Sequence, residues 1–138
     1  MPNSDDELRS ILSSAKNIAV VGIKDEERED AFRIPRYLQE CGYRILPVNP
    51  KLETALGNRC FGSLAEITEP VDLVDLFRAP AHIPGHVDEI LSLASPPAAV
   101  WMQLGIHHGE SARRLRSAGI HVVQDLCIMV EHRRLLGE

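Results

Sequence analysis

The run NIAVVG, residues 17–22, decides the fold. It is almost unbroken in apolar side chains and stops at a glycine, the pattern of a strand covered on both faces of a parallel sheet. Four more runs share that character: Tyr43 to Val48, Val71 to Phe77, Ala98 to Met102 and Ile120 to Val123. Between them lie segments with helical spacing: Phe32, Ile34, Leu38 and Cys41 before Gly42; Val87, Ile90, Leu91 and Leu93; Ala112, Leu115 and Ala118 before Gly119. Gly42 and Gly119 stand where a left-handed residue ends a helix, each just ahead of a strand. Strands recur at roughly 25 residues, the spacing of right-handed crossover units. The expected fold is α/β: a Rossmann-like, doubly wound, five-stranded parallel sheet in three layers, forming a single domain over residues 1–138.

Working outward, Ser4 with Glu7 three residues later is a capping-box signature, and Leu8, Ile11, Leu12 and Ala15 follow at helical spacing, predicting a helix over about residues 4–15. Pro35 is tolerable near a helix start, which moves the expected start of its helix from Ala31 toward Arg33, while Pro84 predicts a start at about Ile83. From Cys127 to Leu136, Met129, Val130 and Leu135 are spaced to pack as a final short helix.

Composition excludes several classes of function. The 138 residues carry 44% hydrophobic and 25% charged side chains and a formal charge of −5, which gives no global reason to bind nucleic acid or an anionic membrane. The opening MPNSDDELRS is too polar and acidic for a signal peptide, and no run approaches the roughly 18 apolar residues of a membrane span, so a cytoplasmic protein is expected. Cys41, Cys60 and Cys127 are widely spaced without a CxxC pair, which argues for reduced thiols and against a disulfide framework or a structural zinc site.

In an open parallel sheet, ligands bind beyond the carboxyl ends of the strands, near the point where strand order reverses. The loops to consider are Gly22-Ile23-Lys24, Asn49-Pro50-Lys51, Arg78-Ala79-Pro80, Gln103-Leu104-Gly105 and Gln124-Asp125-Leu126-Cys127. A dinucleotide site calls for GxGxxG in the first loop and an acid at the end of the second strand. Here Gly22 has no glycine partner in the turn, and the second strand ends Val48-Asn49 with Lys51 close behind. Loss of the acid and gain of a cation favour a ribose that carries a phosphate, hence NADP or coenzyme A over NAD.

The succession VVG (20–22), RYLQECGYRILPVNPK (36–51), VDLVDLFRAP (71–80), VWMQLGI (100–106) and AGIHVVQDLC (118–127) resembles the small stand-alone CoA-binding proteins. These are similar to the nucleotide-binding domain of the succinyl-CoA synthetase alpha subunit. The resemblance implies a sheet that binds coenzyme A, or an acyl-CoA, noncovalently at its carboxyl edge, without a complete catalytic site. It also implies roles by position. Gly22, Ile23 and Lys24 match the turn that approaches the pyrophosphate; Asn49, Pro50 and Lys51 match the segment beside the adenosine 3′-phosphate; Phe77, Arg78, Ala79 and Pro80 match the loop on the adenine side. The chain departs from the family pattern after Gly22, where Ile23 and an acidic run replace a small and a polar residue, and at Asp125-Leu126-Cys127, where Asp-Arg-Cys is usual.

Other residues admit two readings each. Lys24 and Arg28 are phosphate ligands or solvated loop cations captured by neighbouring acids, with Asp25 to Asp30 expected to face solvent. Arg33 lies on the helix facing the same cleft, and Arg36 reads as surface charge. Cys127 is a nucleophile or a small buried hydrophobe, and Trp101 and Gln103 are pocket or core residues. His107-His108 reads as surface loop rather than a metal site or a phospho-accepting histidine, because adjacent histidines point apart. Two further readings stand beside coenzyme A binding: an NADP-linked or Cys127-dependent enzyme, and a relative that has lost the ligand and works through a protein partner or a homodimer.

Overall fold

The apolar run at 17–22 splits its side chains by parity, which is the reason it can lie at the centre of a sheet. In the computed structural model, which describes residues 3–137, strand β1 (Asn17–Val21) sends Ile18 and Val20 into one core cluster and Ala19 and Val21 into the other. It pairs in parallel with β2 (Arg44–Val48) on one side and with β5 (Leu73–Leu76) on the other. Beyond β5 lie β6 (Ala99–Met102) and β7 (His121–Val123), also parallel. The sheet order is β2-β1-β5-β6-β7, so the chain winds one way from β1 to β2 and the other way from β5 onward. The reversal of strand order falls between β1 and β5.

Helices cover both faces, giving three layers. Leu8, Ile11 and Leu12 of α1 (Asp5–Ser14), Ile34 and Leu38 of α2 (Asp30–Glu40) and Ile128 of α5 (Ile128–Leu135) pack with Ile18, Val20 and Trp101. On the opposite face, Ile83, Val87 and Ile90 of α3 (Ile83–Leu91) and Ala112 and Leu115 of α4 (Gly109–Ser117) pack with Ala19, Val74 and Val100. No helix of the described residues is long and apolar enough to cross a membrane.

The local signals are realised with some changes. Ser4 caps α1 by accepting from the Glu7 N–H at 3.1 Å, but the Glu7 carboxylate turns to Asn3 and His121 instead of closing the capping box. Pro84 occupies the first turn of α3, as its sequence position predicts. Helix α2 begins at Asp30, not near Arg33, and encloses Pro35. The absent N–H of Pro35 leaves the Ala31 carbonyl without its partner one turn on, and the Lys24 N–H donates to that carbonyl at 3.1 Å. The proline is tolerated because a loop supplies the missing donor.

Two further expectations are corrected. Cys41 is exposed, because α2 has ended and the chain is turning toward Gly42. Val130 points to solvent at 52% exposure, since the covered face of α5 runs through Ile128, Glu131 and His132. A short antiparallel hairpin, β3 (Thr54–Ala55) with β4 (Asn58–Arg59), follows β2 and is invisible to a search for long apolar runs. The segment after it runs alongside the β2 edge, where Asn49 N–H donates to the Phe61 carbonyl at 2.9 Å and Phe61 N–H to the Pro47 carbonyl at 2.9 Å. Pro47 is accommodated because β2 is the outermost of the five parallel strands.

Candidate functional site

The loops that leave the carboxyl ends of β1 and β5 meet at Gly22. Its φ of +85° suits glycine, and a Cβ there would lie 2.4 Å from the Phe77 carbonyl oxygen and 3.1 Å from Cδ of Arg78. The first turn and the Phe77-Arg78 loop are therefore packed backbone against backbone, with no side chain between them. Ile23 follows with its side chain wholly in the core, so only its backbone belongs to the edge of the sheet.

Asn49 ties the third loop to these two. Its Nδ2 donates to the Ile23 carbonyl at 2.7 Å, and its Oδ1 accepts from the Lys51 N–H at 2.8 Å. The side chain is thus a strut that sets where Lys51 stands. Pro50 and Lys51 are both exposed at the rim.

These loops enclose a cleft of about 420 Å³. Gly22, Lys24, Asn49, Pro50, Lys51, Phe77 and Arg78 line it, together with Val21, Val48, Gly62, Ser63, His82, His86 and Glu89. A wider second cleft, of about 660 Å³, adjoins it and shares Gly22, Lys24, Phe77 and Arg78. Ala79 and Pro80 line the second cleft only, with Gln103, Leu104, Ile106 and Cys127. Of the ten residues singled out from sequence, nine therefore meet around two contiguous clefts, and Ile23 contributes a carbonyl to their frame.

The charges around the clefts fall into two groups. None of the ion pairs among the described residues engages Lys24, Lys51 or Arg78. The remaining cations of the first loop and α2 are occupied: Arg28 pairs with Glu26 at 3.0 Å, Arg33 with Asp30, and Arg36 with Glu27 at 3.6 Å. All six residues from Asp25 to Asp30 are exposed. The acidic run thus neutralises its own arginines and leaves the cleft lysines unpaired.

Arg78 is half-buried and held from behind. Its Nε–H donates to Nε2 of His86 at 3.3 Å, and Nδ1 of His86 lies 2.7 Å from Oε1 of Glu89. A neutral His86 with its proton on Nδ1 satisfies both contacts, accepting from the arginine and donating to the carboxylate. Among the described residues only Nε of Arg78 is used, which leaves its two terminal nitrogens for a ligand.

His86 and Glu89 were not legible as site residues, although their spacing of three places them on one side of α3 behind Pro84. Gly62 and Ser63 carried no signal at all, since they reach the cleft through the pairing of Phe61 with β2. The other residues with two readings divide. Trp101 is core, its indole N–H donating to the Leu126 carbonyl at 2.8 Å, whereas Gln103 lines the second cleft. His108 caps α4, with Nδ1 accepting from the Ser111 N–H at 3.2 Å, and His107 is exposed beside it. Leu126 packs against the core, while Asp125 uses its carboxylate to hold the Gly105 N–H at 2.6 Å.

Comparison with known proteins follows the same outline. The sequence pattern that defines a family described as "CoA binding domain" matches residues 16–133. The uncharacterized protein YneT of Bacillus subtilis (strain 168) is 38% identical over 126 residues, which is 91% of this chain and 92% of that protein. A solved structure from Thermus thermophilus, "cell-free ID.343", superimposes with a TM-score of 0.91 at 46% identity, covering 97% of this chain and 100% of that one. A more distant similarity, 27% identity over 62 residues, is to the ADP-forming acetate–CoA ligase of Methanocaldococcus jannaschii, and it covers 45% of this chain and 9% of the ligase.

Proposed function

This chain belongs to the CoA binding domain family, and we propose that it binds coenzyme A or an acyl-CoA noncovalently in the first cleft and its extension, without a complete catalytic constellation of its own. One observation carries the reading: Lys24, Lys51 and Arg78, the cations without an acidic partner among the described residues of the clefts, line one cleft beyond the carboxyl ends of β1, β2 and β5. Coenzyme A presents a diphosphate and a 3′-phosphate to be matched by such groups. Lys51, at the end of β2 where a dinucleotide site would place a carboxylate, suits the 3′-phosphate.

Ligand linkage supplies the test. Coenzyme A at 100 times its Kd adds about 2.7 kcal/mol to the native state and raises the melting temperature accordingly. Lys51→Glu, at an exposed position, removes most of that shift without altering the melting temperature of the free protein. No shift at millimolar coenzyme A sinks the reading. A fluorescence titration with NADPH separates it from the NADP-linked alternative, which requires the nicotinamide nucleotide to bind more tightly than coenzyme A.

A further inference from the structure

Arg78 is held by the fold at two points along its side chain. Its Cδ packs beside the turn at Gly22, 3.1 Å from where a Cβ there would stand, and its Nε–H donates to Nε2 of His86 on α3 at 3.3 Å. The side chain therefore spans from the loop after β1 to α3, and the second anchor exists only while Nε2 of His86 keeps its lone pair. Glu89 favours that state, because its Oε1 lies 2.7 Å from Nδ1 of His86 and draws the proton of the neutral ring to that nitrogen. Both residues are half-buried in the wall of the first cleft. Other charged or titratable groups surround them. His82 ends the short 3-10 helix Pro80–His82 ahead of α3, and Lys24 and Lys51 line the same cleft. Asp88 is engaged by Arg114 of α4 at 2.7 Å, and Glu66 accepts from the Gly62 N–H at 3.1 Å.

We propose that His86 is a positioning residue for coenzyme A: it holds Arg78 ready for the anionic ligand while its ring is neutral and releases it when the ring takes a proton. The inference rests on the coenzyme A reading above and adds to it a proton that regulates the site. An imidazolium has two N–H donors and no acceptor, so the Nε–H of Arg78 then faces a second donor and a second positive charge. Glu89 pairs with the imidazolium, so the change needs no rearrangement of α3. Arg78 loses its anchor, and ordering its side chain becomes part of the cost of binding.

Isothermal titration of the intact protein with coenzyme A tests the inference. At about pH 8, His86→Ala is expected to bind about fivefold more weakly than the wild type, while His86→Gln, whose amide oxygen accepts at the Nε2 position, restores most of that affinity. In an Arg78→Ala background, His86→Ala adds no further loss, because its effect runs through that arginine. Between about pH 8 and pH 5.5 the wild type is expected to lose about fivefold relative to His86→Gln, which has no proton to gain. The 3′-phosphate of the ligand also titrates at about pH 6, but equally for every variant, so the ratio between variants carries the result. The two alanine variants carry the test alone if His86→Gln does not fold. Wild-type affinity in His86→Ala, no recovery in folded His86→Gln, a loss that persists without Arg78, or one pH profile shared by the wild type and His86→Gln overturns the inference while coenzyme A binding stands. Absence of coenzyme A binding by the wild type overturns both.

Discussion

At Gly22 the positive φ and the Phe77 carbonyl 2.4 Å from where a Cβ would stand act on the same residue. Gly22→Ala must therefore adopt an unfavourable backbone and push the loop after β1 and the Phe77-Arg78 loop apart. It is expected to cost about 2–4 kcal/mol of stability, read by urea denaturation, and to remove the thermal shift given by coenzyme A. Asp75 makes the opposite case, a residue whose own chemistry opposes the fold. It lies at the middle of β5 between Val20 and Trp101, wholly buried, with neither carboxylate oxygen hydrogen-bonded. Burial pushes its carboxyl well above the ordinary range, so folding favours its protonated form. A carboxyl raised on folding favours the native state below about pH 4, its unfolded value, and this contribution is lost as pH rises toward the folded value. Asp75→Asn cannot ionise. It is expected to raise stability at pH 7 by about 1–3 kcal/mol and to flatten the dependence on pH above 4, as thermal melts across that range will show.

Elements position the site through bonds that run between loops. Lys24 is fixed by the carbonyl that Pro35 frees in α2, and Lys51 by the side chain of Asn49, which also holds the loop after β1. Asn49→Ala removes both of its bonds from a half-buried strut. The expected loss is about 1–2 kcal/mol of stability, with coenzyme A affinity falling further than in a distant variant of equal stability. Paired melting and calorimetric titrations distinguish the two effects. Periodicity made the five parallel strands and five α-helices legible, because each buries a continuous face. The interior Pro35 misled the start of α2, since a local rule about missing donors cannot anticipate a donor from Lys24. The β3–β4 hairpin left no pattern because each strand has only two residues.

For the whole molecule, the charge balance and the site point in opposite directions. The net charge of −5 repels a polyanionic ligand at long range, while three unpaired cations attract it at contact. Contact attraction dominates within a Debye length, and salt screens it. Raising sodium chloride from about 50 to 500 mM is expected to weaken coenzyme A binding by roughly tenfold, measured by titration at fixed pH. An affinity independent of salt would mean that the lysines do not meet the phosphates.

The sequence by itself determined the α/β class, the run of parallel strands and the family, because apolar periodicity and ordered motifs are properties of neighbouring residues. It also identified the loops that carry Gly22, Lys24, Lys51 and Arg78, since strand ends follow from strand positions. Only the tertiary structure decided which side chains complete the clefts. Ser63, His86 and Glu89 arrive from segments whose local sequence carries no sign of where strand pairing and helix packing will place them. It decided, too, that the acids after Gly22 occupy Arg28, Arg33 and Arg36 and leave Lys24 unpaired, because ion pairing depends on distance in space and not on order along the chain.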